Sequence, residues 1–148
     1  MKKILLALSL IFAANLTMNA QEISDHAIGV RIGGGNGTGG EISYQKHLGE
    51  NHRLELDLGL ANKFNDFKLT GLHQWVWNIE ERFNWYAGVG AGIVSADKFG
   101  IYAAGVAGFE YNFKAPILIA LDYRPEIGFS GNSSGLVSDI GLAVRYQF

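Results

Sequence analysis

Two stretches of this 148-residue chain carry the letters of motifs that perform chemistry. Gly35-Asn36-Gly37-Thr38-Gly39-Gly40 fits G-x-G-x-x-G, the turn that sets a pyrophosphate on a helix N-terminus. That site needs a helix directly after the turn, and no helical period of apolar residues follows Gly40. The stretch reads as a surface hairpin. Gly131-Asn132-Ser133-Ser134-Gly135 fits G-x-S-x-G, the nucleophile elbow, which requires a strand–turn–helix setting with an acid and a histidine downstream. No histidine follows Gly135. This stretch reads as a loop.

The four histidines are the candidates for metal and base chemistry. His47 and His52 flank an expected turn, but two imidazoles without a third protein ligand make a poor zinc site. His73 is the anomaly, because strict alternation with Trp75 and Trp77 turns it to the apolar side of its strand. A β-bulge near Gly71 would turn it inward, and that is the expectation. A catalytic base must lie within hydrogen-bond reach of its proton. Ser130, Ser133, Ser134 and Asp97 are expected near one rim, where only His73 could approach them. No catalytic residue, cofactor or metal ligand is therefore assigned. The chain has no cysteine, which excludes disulfides, thiolate metal sites and lipid attachment.

The charged residues follow a more regular rule. Leu54, Leu56, Leu58 and Leu60 alternate with Glu55 and Asp57. Ile117, Ile119, Leu121, Tyr123 and Ile127 alternate with Asp122, Arg124 and Glu126. Successive strand side chains point to opposite faces, so one face is aliphatic and the other ionic. Arg31, Glu55, Asp57, Glu110, Asp122, Arg124, Glu126, Asp139 and Arg145 fall on the ionic faces, with Glu41, Gln45, His47, Gln74, Asn84 and Asn112. They predict an ion-pair network. Its expected centre is Arg124, between Asp122 and Glu126, with Arg145 turned toward them. Acids outnumber bases on these faces.

Such faces need strands to hold them. Alternation recurs over 26–35, 39–48, 53–64, 68–79, 82–95, 100–113, 117–130 and 136–148. Clusters of Gly, Asn, Asp and Pro separate these segments. The lengths suit tilted membrane strands of about 9–11 residues or slightly more. Aromatics gather near the segment ends: Trp75, Trp77, Phe83, Trp85, Tyr111, Phe113, Tyr146 and Phe148 toward one end, Phe64, Phe67, Phe99 and Phe129 toward the other. Aromatic belts flanking an aliphatic middle mark a bilayer-spanning wall. A soluble sandwich or lipocalin-like barrel would present the same periodicity turned inside out.

The N-terminus reads as an export signal: basic Met1-Lys2-Lys3, an apolar run over 4–14, and Met18-Asn19-Ala20 before Gln21. Residues 1–20 are expected to be cleaved and 21–148 to form one domain. Removing Lys2 and Lys3 shifts the formal charge from −2 to −4, which offers no basic surface for nucleic acid. Beyond the signal no apolar run is long enough for a membrane helix, so a membrane-embedded chain has to close as a barrel.

The last segment, with Leu142, Val144, Tyr146 and Phe148 on one face, resembles the terminal strand of bacterial outer-membrane β-barrels. The whole mature chain is similar to the OmpA-transmembrane and OmpX type. That resemblance implies an all-β, eight-stranded antiparallel up-and-down barrel in the outer membrane of a Gram-negative cell envelope. It also implies recognition of the terminal strand by the barrel-assembly machinery, and contact with outer-membrane lipid and lipopolysaccharide. A monomer without cofactor or catalysis is expected. An eight-stranded interior is just wide enough for side chains to fill, too narrow for a porin. A plugged lumen in a structural or surface-interaction protein is the first reading. A narrow channel and a lipid A-modifying enzyme are the alternatives. Changing Phe148 to Ser should lower the amount of folded, heat-modifiable protein in the outer membrane. Unchanged levels on unheated gels would contradict the terminal motif.

Overall fold

The structure, a computed structural model, describes residues 24–34, 39–130 and 135–148. The signal segment 1–20, the turn at 36–38 and the pair Ser133–Ser134 lie outside them. Eight strands follow one another: β1 (His26–Gly33), β2 (Gly40–Gly49), β3 (His52–Ala61), β4 (Asp66–Glu80), β5 (Phe83–Ser95), β6 (Phe99–Asn112), β7 (Ile117–Gly128) and β8 (Gly135–Gln147). Each pairs antiparallel with the next, and β8 returns to β1, closing the barrel. The seam is clasped at its end by two backbone bonds. His26 N donates to Phe148 O at 3.1 Å, and Phe148 N donates to His26 O at 2.9 Å.

Most strand ends fall within two residues of expectation, and the end of β3 departs furthest among the described residues. β3 stops at Ala61 rather than at 64, because Asn62–Phe64 form a 3-10 turn with Lys63 at φ 56° and Phe64 at φ 72°. These left-handed residues reverse the chain so tightly that Asp66 already pairs with Ala61. A bulky residue in that region is uncommon, and here it leaves Phe64 exposed at the rim.

Alternation sorts the side chains. Val30, Ile42, Leu56, Leu121, Leu142 and Val144 are exposed on the outer wall, while Arg31, Glu55, Asp57, Asp122, Arg124 and Arg145 are buried inside. A water-soluble barrel would show the reverse, so the sandwich and lipocalin-like readings fall away. Rings crowd the end that carries the termini. Trp77 stacks on Trp85 at 4.3 Å, Phe83 on Phe109 at 5.7 Å, and Phe148 lies between Tyr146 at 6.1 Å and His26 at 5.5 Å. Phe64, Phe99 and Phe129 are exposed near the opposite end.

His73 faces outward, contrary to the expected bulge. The β3–β4 and β4–β5 ladders pass through Gly71 residue for residue, and the only shift on β4–β5 falls between Asn78 and Glu80. With no extra residue near Gly71, parity cannot change, and His73 keeps the outward phase of Trp75.

Glycines on the inner face make room for neighbouring rings. The ring over Gly92 belongs to Tyr102, its partner on adjacent β6, and Tyr86 covers Gly108 in the same ladder. An aromatic laid across a cross-strand glycine restores contact that glycine alone cannot make. At Gly90 an added methyl would run into the Gly71 carbonyl oxygen of β4. Backbone of a closed ladder cannot step aside. Gly90→Ala should therefore destabilise the refolded barrel by about 1–3 kcal/mol, read as a lowered urea midpoint. Gly40→Ala, with nothing within 4 Å of the new atom, should leave the midpoint unchanged.

Candidate functional site

The inward faces of all eight strands meet in a lumen packed with polar side chains. Arg31 on β1 is its hub. Its Nη2 lies 2.5 Å from Asp122 Oδ1, and its Nη1 lies 2.6 Å from Asp139 Oδ2 and 3.3 Å from Glu41 Oε2. Asp122 is on β7, beyond β8. Arg31 reaches it by lying over Gly141, the residue that pairs with Asp122 in the β7–β8 ladder. A side chain at 141 would block that path. The Tyr86 hydroxyl donates to Asp122 Oδ2 at 3.2 Å from β5.

Arg124 spans the lumen from β7. Its Nη2 meets Glu41 Oε1 of β2 at 2.6 Å, and its Nη1 meets Asp57 Oδ2 of β3 at 2.9 Å. Its Nε lies 3.1 Å from Glu126 Oε1, which also takes Lys68 Nζ of β4 at 2.7 Å. Toward the end with the termini, Arg145 of β8 donates to Glu55 at 3.0 Å and to Ser43 at 2.9 Å. Gln45 donates to the same Glu55 oxygen. Arg53 of β3 meets Glu110 of β6 at 2.7 Å and Gln74 at 2.6 Å, its guanidinium 4.7 Å over the Tyr86 ring.

This wiring corrects the expected centre. Arg124 does bond Glu126, but Asp122 is taken by Arg31 rather than by Arg124. Arg145 faces inward yet sits opposite Leu118, while Arg124 sits opposite Asp139, so strand rise separates their levels and Arg145 takes Glu55. Two cations were missed altogether, Arg53 and Lys68. Each opens an alternating segment, where no preceding residue fixes the phase. Their parity with Glu55 and Gln74 was the available signal. His47 and His52 do not form a pair: His47 turns into the lumen, where it lines a small cavity, and His52 stays on the outer wall with His73.

Among the described residues seven buried carboxylates (Glu41, Glu55, Asp57, Glu110, Asp122, Glu126, Asp139) face five buried cations (Arg31, Arg53, Lys68, Arg124, Arg145). The acids are in excess, every cation has an acid partner, and losing Arg31 or Arg124 takes a partner from several acids at once. The side chains also fill the bore. Arg31 and Arg145 are 1 % exposed and Arg124 0 %. At the end with the termini a polar cavity of about 10 Å³ remains between Gln45, His47, Arg53, Glu110 and Gln147, the space of a single water. Among the described residues no three His, Asp or Glu side chains converge as metal ligands.

Leu142, Val144 and Tyr146 share the outward face of β8, and Phe148 follows it at the aromatic end. Ala87, Ala91, Ala103, Gly105 and Ala107 make the outer wall of β5 and β6 low, beside Pro125. The β6–β7 pairing lapses between Ala104 and Ala107 there, since proline brings no N–H to the ladder.

An ionic lumen, an aliphatic wall and aromatic ends define a small eight-stranded barrel of the transmembrane type. Comparison with solved structures agrees. The chain is similar to a de novo designed transmembrane β-barrel, with TM-score 0.64 and 14 % identity over 87 % of this chain and 99 % of that one. It is similar to the N-terminal β-barrel domain of Pseudomonas aeruginosa OprF, with TM-score 0.57 and 12 % identity over 84 % and 100 %. It is also similar to Ail, the attachment invasion locus protein of Yersinia pestis, with TM-score 0.53 and 16 % identity over 88 % and 100 %. At these identities the likeness is one of fold. No known family's sequence profile matches the chain, and no curated protein matches it by sequence.

Arg124→Met should destabilise the barrel by about 3–5 kcal/mol, because it strands Asp57 as a buried charge and leaves Glu41 with only its 3.3 Å contact to Arg31. Asp57→Asn keeps an oxygen for Arg124 and removes one surplus charge, so its cost should stay near or below about 1 kcal/mol. Urea unfolding of refolded protein measures both, and equal losses would contradict the charge imbalance.

Proposed function

We propose that this chain is an integral outer-membrane β-barrel with a structural or surface-interaction role and a lumen closed to solutes. The observation that carries the reading is the buried ion-pair lattice: Arg31, Arg124 and Arg145, each tied to carboxylates, lie in the lumen with almost no exposure. The designed barrel of similar shape supports it further, since spanning a bilayer in this fold demands no passage and no ligand. The end with the termini would face the periplasm, with 1–20 removed on export. The aliphatic wall would meet lipid and lipopolysaccharide, and Leu142, Val144, Tyr146 and Phe148 would engage the assembly machinery. A monomer is proposed.

The two alternatives lose ground for specific reasons. A conducting path would have to break the Arg31 and Arg124 pairs. Lipid chemistry at the outer rim would need a base there, yet His26, His47, His52 and His73 all lie toward the end with the termini. Ser130 and Asp97 lie beside the opposite loops. The purified barrel in a planar lipid bilayer at high salt should give no stepwise conductance. Reproducible unitary steps from the heat-modifiable species would overturn the closed-lumen reading.

A further inference from the structure

We infer that His52 and His73 form a weak, exchangeable two-imidazole site on the outer wall for one divalent transition cation, Cu²⁺ ahead of Zn²⁺, with the other coordination positions filled from outside the protein. The two residues are diagonal neighbours on the outward faces of β3 and β4, where His52 pairs with Trp75 and Leu54 with His73. His52 Nδ1 and His73 Nε2 are 3.1 Å apart. Metal–imidazole bonds of about 2.0–2.1 Å spanning that gap would meet at an angle of roughly 98°, between the square and tetrahedral values. Paired strands hold the two nitrogens at the spacing of cis ligands of one ion.

The surroundings fit the same chemistry. Imidazole suits Zn²⁺, Cu²⁺ and Ni²⁺, whereas Mg²⁺ and Ca²⁺ prefer oxygen. Trp75 stands edge-on to both rings, at 6.0 Å from His52 and 4.9 Å from His73. That tryptophan and the turn before His52 put the site at the aromatic end of the wall, where a bilayer meets water. Water or a lipid phosphate there supplies the remaining ligands. Without metal, one imidazole donates to the other, so the same spacing serves a hydrogen bond. Binding then requires that the donor ring move its proton to its other nitrogen and that both rings turn so that their lone pairs meet at the ion. The outward phase of His73 acquires a use, and the site is independent of the ionic lumen.

The test uses the full mature barrel refolded in lipid vesicles. Trp77→Phe and Trp85→Phe leave Trp75 as the only tryptophan of the three in the chain, a reporter beside the site. Cu²⁺ should quench it saturably with one ion per barrel, and Zn²⁺ should reverse the quenching. His73→Phe, which suits a lipid-facing position, and His52→Asn should each raise the half-quenching concentration by about tenfold or more. His47→Gln, inside the lumen, should not. A second reading on the unmodified barrel is the urea midpoint, which Zn²⁺ should raise and Mg²⁺ should not. Quenching that never saturates, or that survives both His73→Phe and His52→Asn, would overturn the site, as would a midpoint indifferent to Zn²⁺.

Discussion

Every other feature depends on one constraint: within hydrocarbon no backbone donor or acceptor can be left to water. An open sheet edge would violate it at every residue, so β1 and β8 must pair. They do so along their shared length and finish on the reciprocal bonds between His26 and Phe148. Closure with only eight strands then fixes a bore that side chains alone can fill. The lipid solvent decides which face looks out. Once the aliphatic face is outside, whatever alternates with it is committed to the interior.

That commitment explains why the core is ionic. An unpaired buried charge is far more costly than an unpaired polar group, so each inward arginine needs carboxylates in reach. The partners come from other strands: Asp122 for Arg31 from β7, Glu41 for Arg124 from β2, Glu55 for Arg145 from β3. Glycine is the enabling residue. Gly141 leaves the path Arg31 follows, while Gly92 and Gly108 accept the tyrosine rings that bond Thr70 and Asp122. Ion pairs thus tie the wall across its diameter, and glycines tune how the ties lie.

The strands were legible because two-residue alternation is local, and so was the face each residue would choose. Cross-lumen partners were not, because no local pattern reports which levels coincide after the barrel tilts. Arg145 shows this, since the adjacent strand suggested Asp122, while its ladder neighbour is Leu118 and its partner is Glu55. Arg53 and Lys68 were lost for another reason, lying at strand starts where phase is undefined. His73 was misread because a lipid-facing imidazole looked too costly without a rescuing bulge. The rescue is His52, whose proximity depends on a diagonal register that only the folded ladder reveals. The Tyr102–Gly92 contact is of the same kind.

The central claim is that the charged faces look inward and the aliphatic faces meet lipid. The absence of native cysteine allows single spin-labelled cysteines to test it in vesicles, at Ile140, Leu142 and Val144 against Ala143 and Ser43. Relaxation by oxygen, which concentrates in lipid, should be high at the first three and low at the last two. Equal values along β8, or high oxygen access at Ala143 and Ser43, would contradict the account.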